Sequence, residues 1–122
     1  MDKKNFNFED LEIWKDGMRL SVSIYKLMNN CKDFGFKDQI QRAAVSIPSN
    51  ISEGFERQTN KEFIQFLYIA KGSCGELRTQ IYLAKELKYL NDDDYKKMLE
   101  QSKILSAKIQ NFIKTRKTLT KH

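Results

Sequence analysis

The groups able to do chemistry in this chain are mostly charged and hydroxylic side chains set at helical spacing. Arg42, Ser46, Ser49, Asn50, Glu53 and Arg57 recur every one to four residues, so a helix aligns them along one stripe. Such a stripe is either a solvated face or a polar network at a subunit contact or ligand surface, and spacing alone leaves both open. Later in the chain Lys96, Lys97, Lys103, Lys108 and Lys114 share one broad face of an amphipathic segment, and Arg116, Lys117 and Lys121 extend the charge. Lysines so placed neutralise phosphates without reading bases. The bland alternative is a solvated lysine face.

The parts needed for catalysis or metal binding are missing. The sole histidine is His122, which leaves the helical segments without a histidine-based triad, zinc site or general base. Gly72-Ser73-Cys74-Gly75 lies inside a helical pattern and lacks the strand-to-helix setting of a phosphate loop. Cys31 and Cys74 have neither metal nor redox spacing, and Cys74 falls on an apolar face as a small core residue. The expectation is a protein that is not an enzyme and uses no cofactor or metal.

The chain has 122 residues, 40% hydrophobic and 31% charged, which suits one soluble helical domain over residues 1–122. A short flexible N-terminus and a basic C-terminal tail flank it. No apolar run approaches the ~20 residues needed to span a bilayer. The opening residues are too charged for a signal peptide. A cytoplasmic protein without membrane contact is expected. The net charge of +6 is uneven: from Tyr95 onward stand eight of the 22 basic residues and one of the 16 acidic ones. The whole basic excess therefore sits in the last quarter, a physical reason to expect a polyanion partner.

Four helical segments carry these residues. The first runs from about Phe8 to Asn30 on a main stripe of Phe8, Leu11, Trp14, Met18, Val22 and Tyr25, with a weaker second row of Ile13, Leu20, Ile24 and Leu27. The second runs from about Phe36 to Gln58. Pro48 lies within it, cannot donate a backbone N–H and crowds the carbonyl of Ala44, so a kink or restart is expected there. Ser46 and Ser49 are the nearest hydroxyls able to bond the freed groups. The third opens at Thr59, with Glu62 completing a capping-box pattern, and runs to about Tyr89. The fourth starts at Asn91, has Leu90 and Tyr95 as a hydrophobic staple, and fades near Lys114. Short connections between long helices predict an all-α, antiparallel up-down-up-down four-helix bundle, its second helix kinked near Pro48.

The third segment is apolar on more than one side. Beside its main stripe it carries Ile64, Tyr68, Gly75 and Tyr82, and a helix in a lone bundle needs only one buried stripe. A homo-oligomer with these residues at its interface follows, and the weak helix formers Gly72, Ser73 and Gly75 suit close approach of another backbone.

Several stretches resemble one bacterial family. Phe8, Asp10, Leu11, Ile13 and Trp14, then Gln39 with Arg42 to Gly54 (RAAVSIPSNISEG), then Arg57, Phe63, Phe66, Leu67, Ala70, Gly72, Ser73, Glu76 and Leu77 are similar to the motifs of the four-helix-bundle proteins named after 23S rRNA intervening sequences. Accessory proteins of diversity-generating retroelements share that fold. The first connection departs from the family pattern, because Cys31 to Lys37 contains no proline. The resemblance implies a ring-like homopentamer. It also singles out Glu53 and Glu76 as a carboxylate pair, expected to meet Arg42, Arg57 or backbone donors rather than a metal, since no Glu-x-x-His motif accompanies them. The functional expectation is a non-enzymatic homo-oligomer that binds RNA or DNA through basic surfaces with low sequence specificity. The alternative is a structural or adaptor oligomer that binds a protein partner.

Overall fold

Side-chain caps set the starts of the last three helices. Asp33 Oδ1 accepts from the Phe36 N–H at 3.2 Å, Thr59 Oγ1 from the Glu62 N–H at 3.1 Å, and Asn91 Oδ1 from the Asp94 N–H at 2.8 Å. The computed structural model describes residues 6–120. These form a 3-10 turn at Phe8–Asp10 followed by α1 (Glu12–Met28), α2 (Phe34–Phe55), α3 (Asn60–Glu86) and α4 (Asp92–Thr120). Residues 1–5 of the expected flexible N-terminus, and Lys121 and His122 of the expected tail, lie outside the described residues.

Sequence neighbours pack as spatial neighbours: α2 on α1, α3 on α2, α4 on α3, with a lighter contact between α1 and α4. Phe8 ahead of α1 meets Phe55 at the end of α2, Tyr89 after α3 hydrogen-bonds Asp33 at the start of α2, and Asn60 at the start of α3 meets Arg116 near the end of α4. Between them lies a core of Leu20, Ile24, Ile47, Leu67, Ile81, Ile109 and similar side chains, each at most 2% exposed.

Three expectations are refined. First, of the kink or restart expected at Pro48, the restart does not occur: α2 is one continuous helix through the proline, whose ring is buried against Gly17; a Cβ on Gly17 would meet proline carbons at 3.2 and 3.3 Å. The carbonyl of Ala44, left without its helical donor, is reached not by Ser46 or Ser49 but by Ser21 of α1, whose Oγ lies 3.1 Å from it and 2.9 Å from Gly17 O. Second, α1 is rotated from its expected setting: Ile13, Leu20 and Ile24 are buried, whereas Met18, Val22 and Tyr25 are 40–48% exposed. Third, α4 does not fade at Lys114. Asn60 donates to the Arg116 carbonyl and accepts from Arg116 Nε, both at 2.8 Å, so Arg116 and Lys117 belong to the helix rather than to a tail.

Helix α3 stops at Glu86, three residues before the expected end, because Lys88 adopts φ 63°. The Tyr89 N–H then bonds Ala84 O at 2.8 Å and the Lys88 N–H bonds Lys85 O at 3.0 Å, a Schellman termination built without glycine. At the other end of the α2–α3 contact Gly54 is essential, since a Cβ there would stand 2.5 Å from Phe66 Cβ. Gly72 and Gly75, by contrast, have nothing within 4 Å of such a Cβ, so no backbone of this chain approaches them.

One ion cluster closes α1 onto α4. Lys108 Nζ donates to Glu12 Oε1 and Asp16 Oδ2, both at 2.9 Å, and Asp16 also takes Arg19 at 2.6 Å. Hydrogen bonds to the Glu12 and then the Asp16 carboxylate raise the Lys108 pKa above its usual value.

Two outcomes are expected in thermal unfolding followed by circular dichroism. Lys88→Gly relieves the left-handed strain and raises stability by about 0.5–1 kcal/mol, a shift of a few degrees in Tm. Lys108→Met lowers stability below pH 10.5, where the wild-type lysine is charged folded and unfolded alike. The difference between the two proteins then shrinks as pH rises through the raised folded pKa of Lys108.

Candidate nucleic-acid interface

The outer shoulder between α3 and α4 gathers much of the positive charge of the described residues. At 100° per residue Lys71, Arg78 and Lys85 line up along α3, with Tyr68 and Tyr82 beside them. Lys96, Lys103 and Lys114 line up along α4, and Lys117 lies one step toward α3. Contacts across the seam join the two rows. Lys71 Nζ donates to Gln110 Oε1 at 2.5 Å, Lys117 Nζ sits 5.0 Å from the Tyr68 ring centre, and Lys85 Nζ sits 4.5 Å from that of Tyr95. The Tyr82 and Tyr95 rings pack at 6.2 Å. Lys96, Lys103 and Lys114 are exposed and make no ion pair among the described residues; Asp92 and Glu100, each four residues from Lys96, are carboxylates that interrupt their row.

The lysines expected to bind nucleic acid therefore separate. Lys96, Lys103, Lys114 and Lys117 belong to the shoulder, while Lys97 points to the other side of α4, toward α1. Lys108 is neutralised by Glu12 and Asp16. Arg116 is held by Asn60, lies 5.1 Å from the Phe63 ring centre, and has its pKa lowered by burial, so it serves the packing of α4 on α3. Lys71, Arg78 and Lys85 were not part of the expected surface. They stand in a helix of mixed charge, and only its packing beside α4 makes them one face with the lysine row.

The polar stripe of α2 divides too. Ser46 and Asn50 turn inward: Ser46 Oγ and Ser73 Oγ are 2.7 Å apart, and Asn50 Nδ2 donates to Ser46 O at 2.8 Å, a polar seam joining α2 to α3. Arg42 pairs with Asp38 rather than with Glu53 or Glu76, at 2.9 Å on the surface. Arg57 pairs with Glu53 at 3.2 Å and lies 4.7 Å from the Phe66 ring centre. Ser49 and Glu76 are exposed. Among the described residues no three His, Cys, Asp or Glu side chains are grouped as for a metal ion. Burial pushes the Cys74 thiol up to about 12, which makes it an inert core group.

Of the residues expected at a subunit contact, Ile64 packs partly on the core, Tyr68 and Tyr82 turn toward α4, and Gly75 faces open space. More exposed apolar surface lies elsewhere. Ile69, Leu83 and Leu87 are 44–51% exposed on α3. On α1, Met18 and Val22 form the ridge between two grooves. One, of about 540 Å³, is lined by Trp14, Tyr25, Val45 and Pro48 on the α2 side; the other, of about 620 Å³, by Leu20, Ile104 and Leu105 on the α4 side.

No helix of the described residues is long and apolar enough to cross a membrane. Comparison with curated proteins finds no match. Among solved structures, a protein of unknown function from the S23 ribosomal protein family of Bacteroides thetaiotaomicron superposes with a TM-score of 0.78 at 26% identity, covering 84% of this chain and 98% of that one. The family model of the 23S rRNA-intervening sequence proteins matches residues 9–111, which takes in most of α4 as well as the central signature. With its four helices, the signature around Pro48 and that match across most of its length, the chain belongs to the 23S rRNA-intervening sequence protein family.

Proposed function

We propose that this protein is a non-enzymatic, self-associating helical bundle that binds RNA or DNA with little sequence specificity. The observation that carries the reading is the α3–α4 shoulder, where two helices contribute basic rows to one exposed face. Flexible ammonium groups on a rigid platform suit phosphates, which position a nucleic acid without reading its sequence. Self-association is supported by the uncovered apolar rows on α1 and α3, which are larger than scattered surface residues require. A homopentamer, the assembly implied by the family resemblance, would repeat the basic face around a ring and multiply avidity for a long polyanion.

A second reading, an adaptor that holds a protein partner, is favoured by the α1–α2 groove, whose lining is apolar apart from Lys26 and three serines.

Fluorescence anisotropy with a structured RNA and a single-stranded DNA separates the two. Binding is expected at low salt and weakens as salt rises. Lys103→Glu with Lys114→Glu reduces affinity at least tenfold and flattens the salt slope by up to about 0.9 for each phosphate that is no longer neutralised. Absence of binding at low salt rejects nucleic-acid recognition, and capture of a protein partner unaffected by the charge reversal supports the adaptor. Light scattering tests the assembly. The wild type is expected at a multiple of its 14.4 kDa chain mass, and Met18→Asp with Val22→Asp, both at exposed positions, lowers that mass. A wild-type chain that runs at 14.4 kDa rejects self-association.

A further inference from the structure

We propose that Tyr68 and Tyr82 are stacking platforms, so that the α3–α4 shoulder takes single-stranded RNA or DNA with unpaired bases in preference to duplex. The inference rests on the reading of that shoulder as a nucleic-acid surface and names the form of ligand it selects.

Both side chains are large aromatics left exposed, at 42% and 44%. They stand 14 positions apart on α3, which places them about 21 Å apart along the helix and on the same side of it. Each has a cation one turn further on, Lys71 after Tyr68 and Lys85 after Tyr82. Each is also braced from α4: Tyr68 by the Lys117 ammonium at 5.0 Å and Tyr82 by the Tyr95 ring at 6.2 Å. Bracing restricts the rings before any ligand arrives, so less freedom is lost when a base stacks on them.

The chemistry then discriminates between strands. A duplex keeps its bases stacked inside and offers the shoulder only phosphates, to which an exposed tyrosine ring adds little. A single strand offers the faces of its bases as well. Aromatic rings interleaved with basic side chains hold single strands without sequence preference, because every base has a π-face.

The test compares three probes of equal length at one salt concentration: a single-stranded oligonucleotide, the same sequence as a duplex, and a single strand of abasic units. The proteins are wild type, Tyr68→Ala, Tyr82→Ala and Tyr68→Phe, all at exposed helix positions where alanine and phenylalanine keep the helix. The expected result is that wild type binds the single strand most tightly. Each alanine weakens that binding about tenfold, while duplex and abasic binding stay within about twofold. Tyr68→Phe keeps the wild-type affinity, since the ring and not the hydroxyl does the stacking. Equal loss on all three probes, no loss on any, or a change in assembly mass caused by the alanines overturns the proposal, the last by assigning the rings to a subunit contact. Binding of all probes alike by every variant overturns the stacking role but leaves the basic surface standing. Absence of binding to any probe overturns both.

Discussion

The packing of this bundle depends on a proline that a neighbouring helix completes. Pro48 removes one donor from the middle of α2 and leaves the Ala44 carbonyl without its helical partner. A buried carbonyl in that state destabilises a fold by about 1–3 kcal/mol. Here Ser21 supplies the missing proton from α1, and Gly17, one turn earlier, has no side chain to hold the proline ring away. The defect in one helix thus specifies its neighbour: a hydroxyl and a glycine, four residues apart, on the α1 face turned to Pro48. Both contacts use the same face of α1, since Gly17 and Ser21 stand one turn apart.

That rotation decides which surfaces the molecule keeps and which it shows. With Gly17 and Ser21 against α2, Ile13, Leu20 and Ile24 point into the core, and Met18 and Val22 become an outer ridge. On the far side of α2, Gly54 leaves room for Phe66 Cβ and the Phe63 carbonyl to close in, which lets α3 pack close. The heaviest contacts run through α3, which packs on both α2 and α4, and α1 meets α4 more lightly, with the Lys108 cluster bridging them. The groove beside Leu20, Ile104 and Leu105 follows from this asymmetry, since it lies along the lightly packed α1–α4 side.

The same logic separates what the residues announced from what they concealed. Helix starts at Thr59 and Asn91 were legible because a cap needs only a side chain and an N–H three residues away. The main stripe of α3 was legible because Leu67, Ala70, Cys74, Leu77 and Ile81 outweigh any rival row. The two rows of α1 have the same period and similar hydrophobicity, and choosing between them required the contact with Pro48, a fact of tertiary structure. The end of α3 escaped for a different reason: Lys88 takes the left-handed position that a glycine would have marked. Lys108 looked like one more exposed lysine because its carboxylate partners stand more than ninety residues earlier in the chain.

Charge follows the packing as well. Counting along the sequence puts the basic excess in the last helix. In the folded chain part of that excess is spent on α1, where Glu12 and Asp16 absorb Lys108, and part on α3, where Asn60 and Phe63 hold Arg116. What remains on α4 is a row on the α3 side, and α3 answers it with Lys71, Arg78 and Lys85. Within each row the cations stand seven or more residues apart, about 10 Å along the helix, so their mutual repulsion is moderate. The aromatic rings set among these cations relieve part of that repulsion: Tyr95 faces Lys85, Tyr68 faces Lys117 and Phe63 faces Arg116. The bundle therefore sets π-faces as well as carboxylates against its cations, and the shoulder keeps an excess of positive charge.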